Sequence, residues 1–195
     1  MKEIVFATNN RHKIAEVQHL LENSVLLRTS EEIGCREELP ETQETLEGNA
    51  MQKARYVYDR YSVVCFADDT GLEVDALNGE PGVYSARYAG AQKNSEDNIN
   101  LLLSRLQGKS NRKAQFRCVI ALVEPEGVKL FEGIVRGRIL EEKRGAGGFG
   151  YDPVFLPDQA VKTLAELTLD EKNRISHRGD AVRKLVTYLR EKYGQ

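Results

Sequence analysis

A run of five apolar residues at 63–67 leads directly into two adjacent carboxylates, Asp68 and Asp69. A short continuous apolar run is typical of a strand that is buried on both faces. Two carboxylates at the C-terminal end of such a strand repel each other unless one is protonated or a cation lies between them. The chain must therefore fold so that an inner strand opens onto a polar site. We expect unequal roles for the two acids, because neighbouring side chains of a strand point in opposite directions.

The rest of the apolar pattern alternates between strands and helices. Residues 4–7 and 25–27 predict two strands on either side of an amphipathic helix. A second helix is expected from Leu46 to about Tyr58. The period then changes, and residues 116–134 predict an antiparallel hairpin. Helices that alternate with buried strands, followed by a hairpin, predict an α/β fold with a mixed sheet.

Polar residues mark where the later helices begin. Ser95 is expected to cap a third helix that ends near Gly108. Two capping boxes follow, at 163–166 and 168–171. A last helix carries an apolar stripe over residues 181–189.

The composition excludes several classes of protein. With 195 residues, 41% hydrophobic and 30% charged, the chain is expected to form one globular domain over residues 1–195. It has no apolar run long enough for a membrane span or a signal peptide, so we expect no membrane partner and a cytoplasmic location. The three cysteines are far apart, which disfavours a disulfide scaffold or a structural zinc site. A net charge of −2 gives no field that attracts nucleic acid.

A second polar segment joins the first strand to the first helix. Its members are Thr8, Asn9, Asn10, Arg11, His12 and Lys13. The free N–H groups and the dipole of a helix N-terminus favour an anion, so the segment predicts a phosphate site. In the structural alternative, Asn10 caps the helix and Lys13 is solvated. The segment is not a Walker loop, because the spaced glycines are missing.

The acid pair suits a magnesium ion. Mg²⁺ is usually held by one or two carboxylates and by phosphates of the substrate, so a polyphosphate would have to complete the site. A turn stabilised by aspartate hydrogen bonds is the structural alternative. Asn49 and Lys53 share one face of the second helix, and Glu41 precedes that helix. Each of these three residues alone is more typical of a structural role. Only their combination with Asp69 indicates a functional site.

The segment 147–153 is rich in glycine and contains Phe149. Glycines beside an aromatic residue leave its face open for stacking on a flat ring, and Asp152 can bind a polar edge, so a purine would suit the segment. A flexible hairpin with Phe149 packed in the core is the alternative. Lys172 and the segment 176–180 add donors that could point at a keto oxygen, although a histidine at a helix start is usually a cap or a surface group.

Six motifs occur in a fixed order along almost the whole chain. They are residues 8–10 with Lys13, 41–42 before 47–50, 67–72, 81–88, 147–153 and 176–179. Each motif is weak by itself, but the ordered set is specific. Together they closely resemble the Ham1/RdgB family of inosine triphosphate pyrophosphatases.

The resemblance implies an activity and an architecture. It implies a non-canonical purine nucleoside triphosphatase, which converts (d)ITP or XTP to the monophosphate and pyrophosphate with Mg²⁺ and so clears deaminated purines from the nucleotide pool. It also implies an elongated mixed sheet flanked by helices, with two lobes around a central cleft, and a homodimer.

The resemblance also implies roles for individual residues. Residues 8–13 would hold the phosphates, and Asp69 would serve as metal ligand and general base. Glu41 would help bind the metal, although Pro40 stands where relatives often carry an acid. Asp68 and Lys53 would support them. The residues that would contact the substrate elsewhere are Thr70, Phe149, Gly150, Tyr151, Asp152, Lys172, His177 and Arg178.

Two alternatives stay open at this point. A Maf-like pyrophosphatase would act on modified pyrimidine or ordinary nucleotides. A non-catalytic nucleotide sensor or nucleic-acid-binding module on the same fold would bind without releasing pyrophosphate, although the intact acid pair argues against this class. Selectivity for a 6-keto purine would come from donors that adenine leaves unpaired, and nothing in the sequence indicates how guanine is rejected.

Overall fold

The computed structural model describes residues 3–21 and 25–193, and within them the chain forms seven strands and five α-helices. The strands are β1 (Glu3–Phe6), β2 (Leu26–Thr29), β3 (Cys65–Val74), β4 (Pro81–Gly82), β5 (Lys113–Glu124), β6 (Gly127–Ile139) and β7 (Phe155–Pro157). The helices are α1 (Arg11–Leu21), α2 (Leu46–Tyr61), α3 (Ser95–Leu106), α4 (Leu169–Ile175) and α5 (His177–Tyr193). None of the described helices is long and apolar enough to cross a membrane.

The strands form one mixed sheet in the order β2-β1-β3-β5-β6-β7, and β4 pairs with β3 outside this path. Strand β1 runs parallel to β2 and to β3, whereas β4 is antiparallel to β3 and β7 is antiparallel to β6. The predicted α/β fold with a mixed sheet is therefore confirmed.

Strand β3 differs from the prediction in its length. It continues through both acids to Val74, so Asp68 and Asp69 lie in the middle of the strand and not at its C-terminal end. Leu72 and Val74 are fully buried, and residues 72 and 73 pair with β4, which extends the strand beyond the acids. The parallel pairing with β1 involves only Cys65 and Phe66, so the acids still follow the parallel part of the strand.

Two helices also differ from the prediction at their ends. Helix α2 runs one turn further than expected, to Tyr61, where Ser62 takes a left-handed conformation and its N–H bonds to the carbonyl of Tyr58. The cap of α3 is Asn94 and not Ser95, because the Asn94 side chain accepts a hydrogen bond from the backbone N–H of Asp97. Both predicted capping boxes are present, and they start a short 3₁₀ helix and α4.

The chain divides into two compact units, and the boundary within β3 falls between Asp69 and Thr70. Unit 1 comprises Met1–Asp69, Cys118–Gly133 and His177–Gln195. Its core joins β1 and β3 to α1 and α5, and the rings of Phe6 and Phe66 stack with their centroids 4.6 Å apart. The predicted apolar stripe of the last helix lies in this core.

Unit 2 comprises Thr70–Arg117 and Ile134–Ser176. Its core packs α3 against residues of β3, β5 and β6, and the rings of Phe116 and Phe155 meet at a tilt with centroids 4.7 Å apart. The buried Asn98 side chain accepts a hydrogen bond from the N–H of Ala89 and donates to the carbonyl of Ala86, which fixes the loop before α3.

Candidate active site

Asp68 is a buried anion held by two cations of unit 1. Its Oδ1 accepts a hydrogen bond from Lys13 Nζ at 3.0 Å, and its Oδ2 accepts one from Arg178 Nε at 3.2 Å. Burial by itself would raise the pKa of Asp68, but the charges of Lys13 and Arg178 outweigh it and hold that pKa well below its usual range. Asp68 therefore stays ionised, and its negative charge fixes the two cations.

Asp69 faces a different set of partners. Its Oδ2 accepts a hydrogen bond from Asn49 Nδ2 at 3.1 Å, and its Oδ1 lies 3.8 Å from Lys53 Nζ. The same Lys53 ammonium donates to Glu41 Oε1 at 2.5 Å. Asn49 and Lys53 lie one turn apart on the buried face of α2, as their spacing predicts. Asp68 and Asp69 thus have different partners, and their unequal roles stay a prediction.

Burial, and not the nearby cations, gives Asp69 a raised pKa. Burial raises the pKa of Asp69, and the nearby Lys53 and Lys13 charges offset this rise only in part. Burial works to lower the pKa of Lys53, but Asp69 and Glu41 outweigh it, so the pKa of Lys53 is raised. The arrangement therefore combines a protonated lysine with a carboxylate that accepts a proton more readily than an ordinary aspartate does.

The donor set around Lys53 fits a magnesium ion. Glu41 and Asp69 place two carboxylates around one ammonium, and carboxylate oxygens are the protein ligands that Mg²⁺ prefers. Over residues 3–21 and 25–193, no group of three or more His, Cys, Asp or Glu side chains is arranged to hold a metal. Two carboxylates with phosphate and water as further ligands match the usual magnesium pattern, in which the protein supplies few ligands.

The predicted phosphate segment begins helix α1. Asn10 Oδ1 accepts hydrogen bonds from the backbone N–H groups of His12 and Lys13, at 3.0 and 3.3 Å, so Asn10 does cap the helix. Lys13 is not a solvated side chain, because only 13% of it is exposed and its ammonium contacts Asp68. The N-terminus of the 11-residue helix α1, with Lys13 one turn in, is suited to bind an anion.

Further hydrogen bonds order the rest of this segment. Thr8 Oγ1 accepts from the N–H of Asn10 at 3.2 Å. The Asn9 side chain donates to the carbonyl of Glu37 at 3.2 Å, which ties the segment to the loop that carries Glu41. Arg11 and His12 are exposed. The segment therefore offers exposed donors beside an ordered backbone.

A second cluster lies in unit 2. Lys172 Nζ donates to Asp152 Oδ2 at 2.6 Å, and both side chains are buried. The same oxygen accepts the backbone N–H of Phe149 at 3.0 Å, and Lys172 Nζ lies 4.7 Å from the centroid of the Phe149 ring. A Cβ at Gly148 would lie 2.2 Å from Asp152 Oδ2, so this position requires glycine. The cluster is held in shape by its own contacts, with the aromatic ring fixed beside a buried ion pair.

Three other predicted substrate residues belong to unit 2. Tyr151 is buried, and its hydroxyl donates to the carbonyl of Ser85 at 2.6 Å, so this hydroxyl serves the fold. Thr70 and Gly150 are half-buried, and Gly150 adopts a left-handed conformation with φ 60°. The structure therefore gives Tyr151 a place in the core and leaves Thr70 and Gly150 partly accessible.

The first two residues of α5, His177 and Arg178, are buried in unit 1. Arg178 Nη1 donates to Glu16 Oε2, and Arg178 Nε donates to Asp68. These two nitrogens are committed to carboxylates, so a contact of Arg178 with a base stays a prediction. Sequence reasoning missed Glu16, although an acid directly before Val17 on the apolar face of α1 is a visible signal.

The fold is that of an α/β protein with a mixed sheet, and unit 1 gathers two buried aspartates with two lysines. The sequence model of the Ham1 family matches residues 4–188. The chain belongs to the Ham1 family.

Relatives match over nearly their whole length. Two relatives named dITP/XTP pyrophosphatase, from Flavobacterium johnsoniae and Porphyromonas gingivalis, are 55% and 52% identical and cover 96% and 97% of this chain. The matches span 97% and 98% of those relatives. The solved Ham1 proteins of Staphylococcus aureus and Coxiella burnetii are 42% and 41% identical, with TM-scores of 0.89 and 0.90. Each structural match covers 98% of this chain and 100% of the other.

Proposed function

We propose that this protein hydrolyses deaminated purine nucleoside triphosphates, such as dITP and XTP, to the monophosphate and pyrophosphate. The observation that carries the proposal is the buried pair Asp68 and Asp69, in which one acid fixes Lys13 and the other faces Lys53 and Asn49. The names of relatives that share about half of its residues support the same activity.

In the proposed reaction, Asp69 is the general base. It takes a proton from a water molecule whose oxygen bonds to phosphorus, and the anhydride bond between the α and β phosphates breaks to release pyrophosphate. A carboxylate with a raised pKa suits this task, because it accepts a proton near neutral pH more readily than an ordinary aspartate does. Asn49 holds the carboxylate in place through its hydrogen bond to Oδ2.

The phosphates would be held by the start of α1 together with Lys13 and Lys53. Glu41 and Asp69 would hold Mg²⁺, which when bound supplies positive charge to the departing pyrophosphate. Asp68 keeps Lys13 oriented and does not take part in proton transfer, because its pKa lies well below the usual range. The two acids thus divide the work between positioning and proton transfer.

The base would be recognised by the Phe149 cluster. The Phe149 ring offers a stacking surface, and Lys172 with Asp152 offers a buried polar edge. We also propose that Thr70, His177 and Arg178 contribute contacts to the nucleotide. Adenine has an amino group where hypoxanthine has a keto oxygen, and each buried donor it leaves unpaired costs ~1–3 kcal/mol.

The proposal includes the setting of the enzyme. The three cysteines are free and buried, which suits a reducing compartment such as the cytoplasm. Three further statements remain predictions: a homodimer, a single domain over residues 1–195, and the lack of a nucleic-acid partner. Light scattering on the purified chain, with and without nucleotide, measures the oligomeric state.

A panel of nucleoside triphosphates tests the activity. We expect pyrophosphate release from dITP and XTP in the presence of Mg²⁺, with much slower release from dATP and none after chelation of the metal. A preference for pyrimidine nucleotides would favour a Maf-like enzyme. Saturable dITP binding without pyrophosphate release would favour a sensor, and either result contradicts the proposal.

Replacement of the proposed general base is the most direct variant. Asp69→Asn should lower kcat for dITP by about 10²–10⁴-fold, because it removes the group that takes the proton. Circular dichroism and the melting temperature should change little, since asparagine has the same size. The exposed Asp158→Asn serves as the matched control and should keep the kcat of the parent. Turnover of Asp69→Asn within tenfold of the parent would exclude the assigned role.

A further inference from the structure

We propose that Glu16 is a positioning residue for the nucleotide site. Its carboxylate holds Arg178, Arg178 holds Asp68, and Asp68 holds Lys13. The inference rests on the proposed function, in which Lys13 binds the phosphates. Glu16 itself is not expected to contact the substrate.

The four side chains form a linear network of alternating charge. Arg178 Nη1 donates to Glu16 Oε2, Arg178 Nε lies 3.2 Å from Asp68 Oδ2, and Lys13 Nζ lies 3.0 Å from Asp68 Oδ1. The two ends of the network, Lys13 and Glu16, are three residues apart on α1. This network joins α1, β3 and α5 within unit 1, and it links Glu16 to Lys13 through three ion pairs.

Because these four side chains are largely buried, each charge of the network needs an opposite charge beside it. Glu16, Asp68 and Arg178 are 3%, 1% and 1% exposed, and the Lys13 side chain is 13% exposed. Two carboxylates face two cations in a region where water screens them little. If Glu16 is neutral, the Arg178 charge draws Asp68 towards itself, and the hold of Asp68 on Lys13 weakens. The position of the Lys13 ammonium therefore depends on a charge that lies outside the phosphate site.

Stability alone does not account for the carboxylate at position 16. Glu16 shares the buried face of α1 with Val17 and Leu21, where an apolar residue would fit the helix pattern. Replacing buried ion pairs by apolar residues is often neutral or stabilising. A carboxylate at this place is explained if its charge sets the geometry of Arg178, Asp68 and Lys13.

The test compares Glu16→Gln with Glu124→Gln in the full-length chain. Both variants neutralise a buried glutamate of unit 1 that accepts a hydrogen bond from a cation. The partners of Glu124 are Tyr188, Lys192 and Tyr193, which lie outside the charge network of Glu16. For Glu16→Gln we expect kcat/KM for dITP to fall about 10–100-fold, mainly through a higher KM. Glu124→Gln should stay within twofold of the parent.

A second readout separates positioning from a general loss of stability. Calorimetric titration with inorganic pyrophosphate and Mg²⁺ probes the phosphate site without a base, at a temperature where each variant is folded. Glu16→Gln should bind pyrophosphate more weakly than the parent, whereas Glu124→Gln should bind it equally well. Unchanged kcat/KM and unchanged pyrophosphate affinity in Glu16→Gln would overturn the proposal.

Two other outcomes have defined meanings. If Glu16→Gln does not fold, Glu16→Asp is tested instead, because it keeps the charge but shortens the side chain. A raised KM in Glu16→Asp would support the proposal, and kinetics like those of the parent would overturn it. If the parent itself releases no pyrophosphate from dITP, the proposed function fails, and the pyrophosphate titration still tests the link from Glu16 to Lys13.

Discussion

Arg178 shows how a single side chain is fixed by partners on two other elements. Burial disfavours its charge, but Glu16 and Asp68 outweigh burial and raise the pKa of Arg178, so it is charged at every relevant pH. Arg178→Ala would leave two buried carboxylates without this cation. We expect the free energy of unfolding to fall by about 3–5 kcal/mol, which urea denaturation measures.

The same variant tests the predicted base contact. A loss of kcat/KM for dITP that greatly exceeds the loss for dATP would support a contact between Arg178 and the base. Equal losses for the two nucleotides would limit Arg178 to holding Asp68 and Glu16. Arg178→Lys, which keeps the charge but not the forked geometry, is the matched comparison.

Gly133 marks a close approach of β6 to the start of α5. A Cβ at this position would lie 2.0 Å from the carbonyl oxygen of His177 and 2.5 Å from the backbone nitrogen of Ala181. Gly133→Ala should therefore push the start of α5 away and destabilise the protein by about 3 kcal/mol. Thermal unfolding measures the loss, and the exposed Arg138→Ala in the same strand should have little effect. Equal melting temperatures for both variants would contradict the close approach.

Among the elements, α5 is anchored at its C-terminal end by one buried acid. Glu124 at the end of β5 accepts hydrogen bonds from Tyr188, Lys192 and Tyr193, at 2.8, 2.9 and 2.5 Å. Burial would raise the pKa of Glu124, but these donors outweigh it and lower that pKa. The ionised form is thus the one that stabilises the fold.

The lowered pKa of Glu124 predicts a pH dependence. Its contribution is fully present above the ordinary glutamate pKa and is lost as the pH falls through the lowered value. Glu124→Gln should cost about 1 kcal/mol at pH 7, and the gap to the parent should close in acid. Urea denaturation at several pH values measures this, with the exposed Glu141→Gln as the control. A gap that is constant with pH would contradict the assignment.

The sequence was sufficient for elements that depend on local signals. The strand that starts at Cys65, two residues into the predicted run 63–67, follows from the burial pattern. The capping boxes at 163–166 and 168–171 follow from side chains that bond their own helix. The sequence pattern does not predict the continuation of β3 to Val74, because the continuation depends on pairing with β4, which no local pattern shows. The predicted cap of α3, Ser95, was wrong by one residue, because the adjacent Asn94 is also a good capping residue.

The site was predictable to a similar degree. Spacing alone placed Asn49 and Lys53 on one face, and the structure brings both to Asp69. Glu16 and Arg178 are 162 positions apart, so no motif could join them. The use of the Tyr151 hydroxyl by the Ser85 carbonyl is equally non-local, since 66 positions separate the two.

For the molecule as a whole, binding of the nucleotide should raise the free energy of unfolding. A ligand that binds only the folded state at 100 times its Kd adds about 2.7 kcal/mol to the free energy of unfolding. Inosine monophosphate, the expected product of ITP hydrolysis, should therefore raise the melting temperature more than adenosine monophosphate does. Scanning fluorimetry measures the shift, and Phe149→Ala should reduce it. Equal shifts for the two nucleotides would contradict recognition of the base.

The ammonium of Lys53 lies between Glu41 and Asp69 and neutralises part of their negative charge when no metal is bound. A pair of neighbouring acids without any positive neighbour would strain the apoprotein, and such a site would depend on its metal to stay assembled. Here the repulsion is already compensated by the polypeptide, so exhaustive dialysis against a chelator should leave a fully folded protein that regains turnover as soon as magnesium is returned.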